Sequence, residues 1–232
     1  WVMHAMLLWQ MLNAQHEDEP SGRFTKNFLI VAPGLIVYDR LLDAFCGRIK
    51  RGTEYRDFDT NDFVLNQDVF IPVHLRQEVF SFIQNNVVTK EEGIGKKATG
   101  DGMIALTNWH LFENQLADDD QQEDGEMTVP QIIEKLLPIR PGKAAGNDLG
   151  MLDRRSLRGT EIEYLTGLKD IMVINDEAHH IHELKRGGEI EEVEWQKGLN
   201  AIAEGKGHRF FPIDFSATPY DNRDSGQKMN KG

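Results

Sequence analysis

Residues 171–177 read Ile-Met-Val-Ile-Asn-Asp-Glu, an unbroken apolar run that ends in an asparagine and two adjacent carboxylic acids. A strand exposed on one face alternates apolar with polar residues. A run without alternation suits a strand covered on both faces, and such strands belong to parallel sheets flanked by helices. In sheets of that kind ligands bind in the crevice beyond the carboxyl ends of the strands, so Asp176 and Glu177 are delivered to where a site forms. Side by side and buried, two carboxylates repel, and one is driven to take a proton unless a cation relieves them. Magnesium is satisfied by one or two carboxylates with phosphate oxygens completing its shell, which leaves the second acid to orient or deprotonate a water. Asp176 is therefore assigned to the metal and Glu177 to the water.

Further strands are expected from similar runs. Phe28–Ala32 is stopped by Pro33-Gly34 and followed by a helix over Leu35–Phe45, the first half of a strand-helix-strand unit. Met103–Thr107 is a third strand, leading into Asn108, Trp109 and His110, and Arg209–Phe215 is the last. Pro212 inside that last run is awkward for a central strand, which points to a start at Ile213 or a local distortion. A short strand is also expected at Asp68–Pro72 and a helix at Leu75–Asn85, while Trp1–Leu12 carries a helical pattern from the first residue. Main strands alternating with helices imply an open parallel α/β sheet with helices on both faces and right-handed crossovers.

Composition sets the outer bounds. The chain has 232 residues, enough for one large domain or two small ones, and no apolar run approaches the roughly 20 residues that cross a bilayer. One cysteine, Cys46, excludes an internal disulfide and fits a reducing cytoplasm, and no secretory leader is visible. The net charge of −12 opposes nucleic-acid binding at first sight. Its distribution matters more: residues 23–51 carry six basic against two acidic side chains, and the acid is concentrated at 113–126, with seven acidic residues and no basic one. Arg154, Arg155 and Arg158 form a smaller basic group.

Asp176-Glu177-Ala178-His179 resembles the DEAH form of the Walker B motif of superfamily 2 helicases and translocases, and Asn175 and His180 around it resemble the variant in the Res subunit of type III restriction enzymes. Forty residues beyond Asp176, Phe215-Ser216-Ala217-Thr218-Pro219 is similar to the Ser-Ala-Thr motif that couples hydrolysis to movement of the two motor domains. Ala32–Leu41 looks like the family's motif Ia, and Thr107-Asn108-Trp109-His110 resembles the motif near the bound DNA strand. The resemblance runs from Trp1 to about Tyr220 and implies a RecA-like, P-loop NTPase type of domain, with an insertion at 116–150 and a polar tail or linker at 221–232.

By that likeness the parent protein hydrolyses ATP with Mg²⁺ to move along duplex DNA. Asp176 holds the ion, Glu177 positions or activates the water, and His179 with Ser216 and Thr218 relays the nucleotide state. Pro33, Gly34, Arg40, Thr107, Asn108 and His110 lie near the DNA backbone. A helix start such as the one after Gly34 exposes backbone amides that suit a phosphate. Partners would be a second motor domain of the same parent and a methyltransferase subunit. The family's phosphate loop would stand just before Trp1, so residues 1–232 alone are expected to bind nucleotide weakly and not to hydrolyse it. Gly93–Gly102 is no substitute, because Lys90 stands where the first glycine is needed and Lys97 where a serine or threonine is.

Two readings of other classes remain beside the motor. One is a helicase-like module that binds nucleic acid without catalysis. The other is a metal-dependent endonuclease built on the Asp176, Glu177 and His179 cluster.

Overall fold

The computed structural model describes residues 1–19, 21–108, 160–176 and 198–215. In chain order these residues form α1 (Val2–His16), β1 (Asn27–Ala32), α2 (Leu35–Cys46), β2 (Arg48–Ile49), β3 (Arg56–Asp57), α3 (Asp62–Leu65), α4 (Gln67–Phe70), α5 (Arg76–Asn86), β4 (Val87–Thr89), β5 (Met103–Asn108), β6 (Ile171–Asn175) and β7 (Phe210–Asp214). Residues 160–167 and 198–203 are also helical.

Five strands form one sheet in the order β4-β5-β1-β6-β7, every neighbouring pair parallel. The unalternating runs behave as their composition requires, since every residue of β5 and β6, and all of β1 after Asn27, is buried. Successive side chains point to opposite faces, and a separate cluster covers each face. On one side Phe28, Ile30, Ile104, Leu106, Met172 and Ile174 meet α1, α2 and α5 through Leu7, Met11, Tyr38, Phe45, Val79 and Ile83. On the other, Leu29, Val31, Ala105, Ile171 and Val173 meet Ile162, Leu165, Leu199 and Ile202 of the two remaining helical segments. The molecule is therefore an α/β open parallel sheet with helices on both faces.

That division of helices follows from the order of the strands. The chain leaves β1 towards β4 on the first face and passes through 160–167 and 198–203 on the second to reach β6 and β7 in the opposite direction, as right-handed crossovers demand. β1 thus lies next to strands whose connections leave to the other face, the switch point at which open α/β sheets form their crevice.

Three expectations are corrected. The segment Asp68–Pro72 is not a strand: Gln67–Phe70 is helical, and Asn61, whose side chain accepts from the Val64 amide, starts the short helix just before it. The main sheet has a fifth strand, β4, formed by three residues directly after α5. Pro212 is inside β7, opposite Val173, rather than before its start. Among the described residues β7 pairs only with β6, and an edge strand tolerates a residue that cannot donate to the ladder.

The helix expected after Pro33-Gly34 forms and runs one residue further, to Cys46. Gly47 ends it at φ 85°, in the left-handed region, and a Cβ there would lie 1.8 Å from the carbonyl oxygen of Asp57. The Arg56 guanidinium donates to the Asp43 carboxylate at 2.6 Å and to the Gly47 carbonyl at 2.8 Å, closing the β2–β3 hairpin onto the helix end. At the far end of the sheet the buried Tyr38 hydroxyl donates to Glu91 at 2.9 Å and accepts from the Lys90 amide at 3.0 Å, which ties α2 to the residues after β4. No described helix is long and apolar enough to cross a membrane.

Candidate functional site

The two ends of the sheet are finished differently. At the amino ends the chain satisfies itself: Asp170, just before β6, accepts from the Thr25 hydroxyl and from the Asn27 side-chain amide, at 3.2 Å for the latter, and Lys206 donates to the Thr166 carbonyl at 2.6 Å. These bonds tie the residues at or before the starts of β1, β6 and β7 to one another or to the helical segment 160–167. The carboxyl ends gather Pro33 and Gly34 after β1, Thr107 and Asn108 in β5, Asn175 and Asp176 at the end of β6, and Asp214 at the end of β7.

The register fixes their order. Val31 lies opposite Thr107 on one side and Asn175 on the other, and Asn175 lies opposite Asp214. Paired residues of parallel strands share a face, so Thr107, Val31, Asn175 and Asp214 form one row across four strands. With about 4.8 Å between strands that row spans roughly 15 Å. The ladder continues one step: the Asp176 amide donates to the Val31 carbonyl at 3.0 Å and the Phe215 amide to the Asn175 carbonyl at 2.8 Å. The backbone at Asp176 is thereby held on both sides, and this half-buried acid leaves the sheet beside the turn formed by Pro33 and Gly34.

That turn is open. Gly34 has an extended backbone, its Cβ position would meet nothing within 4 Å, and no side chain caps the helix that starts after it. Leu35 and Ile36, in the first turn of α2, are exposed. Arg40 is exposed on the same helix and belongs to none of the six ion pairs among the described residues. Thr107 and Asn108 are buried, at 3 % and 5 % exposure, and the Thr107 hydroxyl lies 3.4 Å from the Asn108 carbonyl. Pro33, Gly34 and Arg40 therefore offer surface to a large ligand, whereas the side chains of Thr107 and Asn108 finish the interior.

Glu177, His179, Ser216, Thr218 and His110 lie outside the described residues, as do the insertion expected at 116–150, the basic group at 154–158 and the tail at 221–232. Their neighbours in the chain do not: Asp176 immediately precedes Glu177, and Phe215 immediately precedes Ser216. β6 and β7 are adjacent and in register up to those points, so Asp176 and Phe215 stand at neighbouring strand ends.

Sequence reasoning gave no role to Asp214. The Asn175 side-chain amide donates to its carboxylate at 2.6 Å, while the Asn175 carbonyl oxygen Oδ1 is buried with no hydrogen-bond partner. A polar residue closing an apolar run was the visible signal. Its partner, 39 positions later, is found only through the register.

Among the described residues no group of three or more His, Cys, Asp or Glu could hold a metal by itself. A half-buried carboxylate at a strand end, such as Asp176, suits an ion that brings most of its ligands with it, as magnesium does when bound to phosphates. Comparison with known protein families, with characterised proteins and with solved structures gave no match.

Proposed function

We propose that this chain is a nucleotide-hydrolysing motor domain acting on duplex DNA, of the superfamily 2 type and similar to the Res subunit of type III restriction enzymes. One observation carries the reading: Asp176 leaves β6, an interior strand, at the switch point of a doubly wound parallel sheet, and β7, which runs in register with β6 up to Asp214 and Phe215, lies directly beside it. The sheet order and the helices on both faces are compatible with a RecA-like domain.

In this reading Asp176 takes Mg²⁺ through its carboxylate, and the ion, when bound with ATP, neutralises charge that develops on the phosphates. Glu177, next in the chain, orients the attacking water and accepts its proton. Ser216 and Thr218 follow Phe215 in the sequence, and in this reading a change at the acidic pair is passed to them through His179. The open turn at Pro33 and Gly34 presents the amides that start α2 to a DNA phosphate, and Arg40 adds charge one turn further on. A methyltransferase subunit and a second motor domain are the expected partners.

The test is ATP turnover by the full-length protein with and without duplex DNA. Magnesium-dependent hydrolysis that rises when DNA is added supports the motor. Nuclease activity without ATP turnover, or DNA binding with no turnover at any magnesium concentration, overturns it.

A further inference from the structure

We propose that Asp214 is a positioning residue for the magnesium-nucleotide site and acts through Asn175, an inference that rests on the functional reading above. A carboxylate only accepts hydrogen bonds, so it selects the nitrogen end of the Asn175 amide and turns Oδ1 away. The bond is short, at 2.6 Å, and assisted by charge. Asn175 is 4 % exposed, and its backbone is tied to β7 as well, through the Phe215 amide. Two links, one by side chain and one by main chain, therefore join β6 to β7 at the last position before Asp176.

The backbone at Asp176 has its own tie to Val31, so the acid's placement depends on how the end of β6 is held from both sides. Removing the Asp214 carboxylate releases the Asn175 amide to turn over. It also leaves a buried nitrogen unpaired beside an already unpaired oxygen. The consequence falls on the next residue, whose carboxylate must meet the ion within narrow limits. Asp214 itself is exposed, so shortening it opens no cavity in the core.

The experiment measures ATP hydrolysis by the full-length protein against magnesium concentration for the unsubstituted protein, Asp214→Ala and Asp214→Asn. Loss of a group that orients a metal ligand costs on the order of 10-fold or more in metal affinity or activity. Asp214→Ala is expected to need at least that much more magnesium for half-saturation and to show a lower kcat, with KM for ATP at saturating magnesium little changed. Asp214→Asn, whose side-chain oxygen still accepts from Asn175, is expected to recover the magnesium dependence. A purely structural role would change the folded fraction and leave the half-saturating concentration where it was. Asp214→Ser replaces the alanine variant if the latter does not fold. Unchanged magnesium dependence in Asp214→Ala, or equal impairment in Asp214→Asn, overturns the inference while the motor reading stands. No hydrolysis by the unsubstituted protein removes both.

Discussion

Asn175 and Asp214 face each other across the last rung of β6 and β7, amide nitrogen to carboxylate oxygen at 2.6 Å. The mirror of this arrangement is at the other end of the sheet, where Asp170 gathers Thr25 and Asn27. The amino-end clamp closes on itself. The carboxyl-end clamp leaves Oδ1 of Asn175 buried and unpaired, one residue before the acid assigned to the metal.

Glu177→Gln keeps the size and polarity of the side chain and removes its ability to take a proton. In the full-length protein, ATP hydrolysis should fall by about 10²-fold or more while nucleotide binding persists, in line with the worth of a positioned general base. Turnover near the unsubstituted rate would take Glu177 out of its role.

Much of the sheet was legible because burial on both faces leaves a run with no alternation, and Ile171–Asn175, Phe28–Ala32 and Met103–Thr107 each became a central strand. Val87–Thr89 was not legible, since three residues carry too little pattern to separate them from the end of α5. Asp68–Pro72 failed for a related reason: Val69, Phe70 and Ile71 look like a strand, but the capping of α3 by Asn61 sets up helical turns that continue through Gln67–Phe70. At the candidate site, Asp176 stood out in the sequence and the Asn175–Asp214 pair behind it did not, because those two residues meet only once two distant strands are in register.

His4 gives a pH-dependent stability. It is 7 % exposed, stacked on Phe45 at 5.4 Å and edge-on to Phe63 at 4.7 Å, and burial lowers its pKa from 6.5 to about 4. The unfolded chain takes up a proton near pH 6.5 and the folded one does not until about pH 4. The stabilisation is therefore complete above pH 6.5 and is lost as pH falls towards 4, by on the order of 3 kcal/mol. Urea unfolding at pH 7 and pH 4.5 should show a smaller acid loss for His4→Phe than for the unsubstituted protein. Equal losses would remove His4 from this role.

Gly47→Ala forces a side chain into left-handed backbone against the Asp57 carbonyl. Strain in that region and the clash together should cost roughly 2 kcal/mol or more, read as a lower urea midpoint. Gly34→Ala is the control: its backbone is extended and its Cβ position is open, so stability should stay within about 0.5 kcal/mol.

Ile174→Ala removes a fully buried side chain from β6, an interior strand of the sheet. A loss of about 2–5 kcal/mol in urea unfolding is expected from the transfer and cavity terms. A loss under about 1 kcal/mol would mean that β6 is less tightly covered than its position implies.

The most direct measurement is the magnesium dependence of ATP hydrolysis by the full-length protein carrying Asp176→Asn, with Asp170→Asn, at the opposite end of the same strand, as control. If Asp176 holds the ion, turnover in Asp176→Asn falls to background or returns only at much higher magnesium, and Asp170→Asn keeps the unsubstituted magnesium requirement. Hydrolysis by Asp176→Asn with an unchanged rate and magnesium requirement would contradict the account.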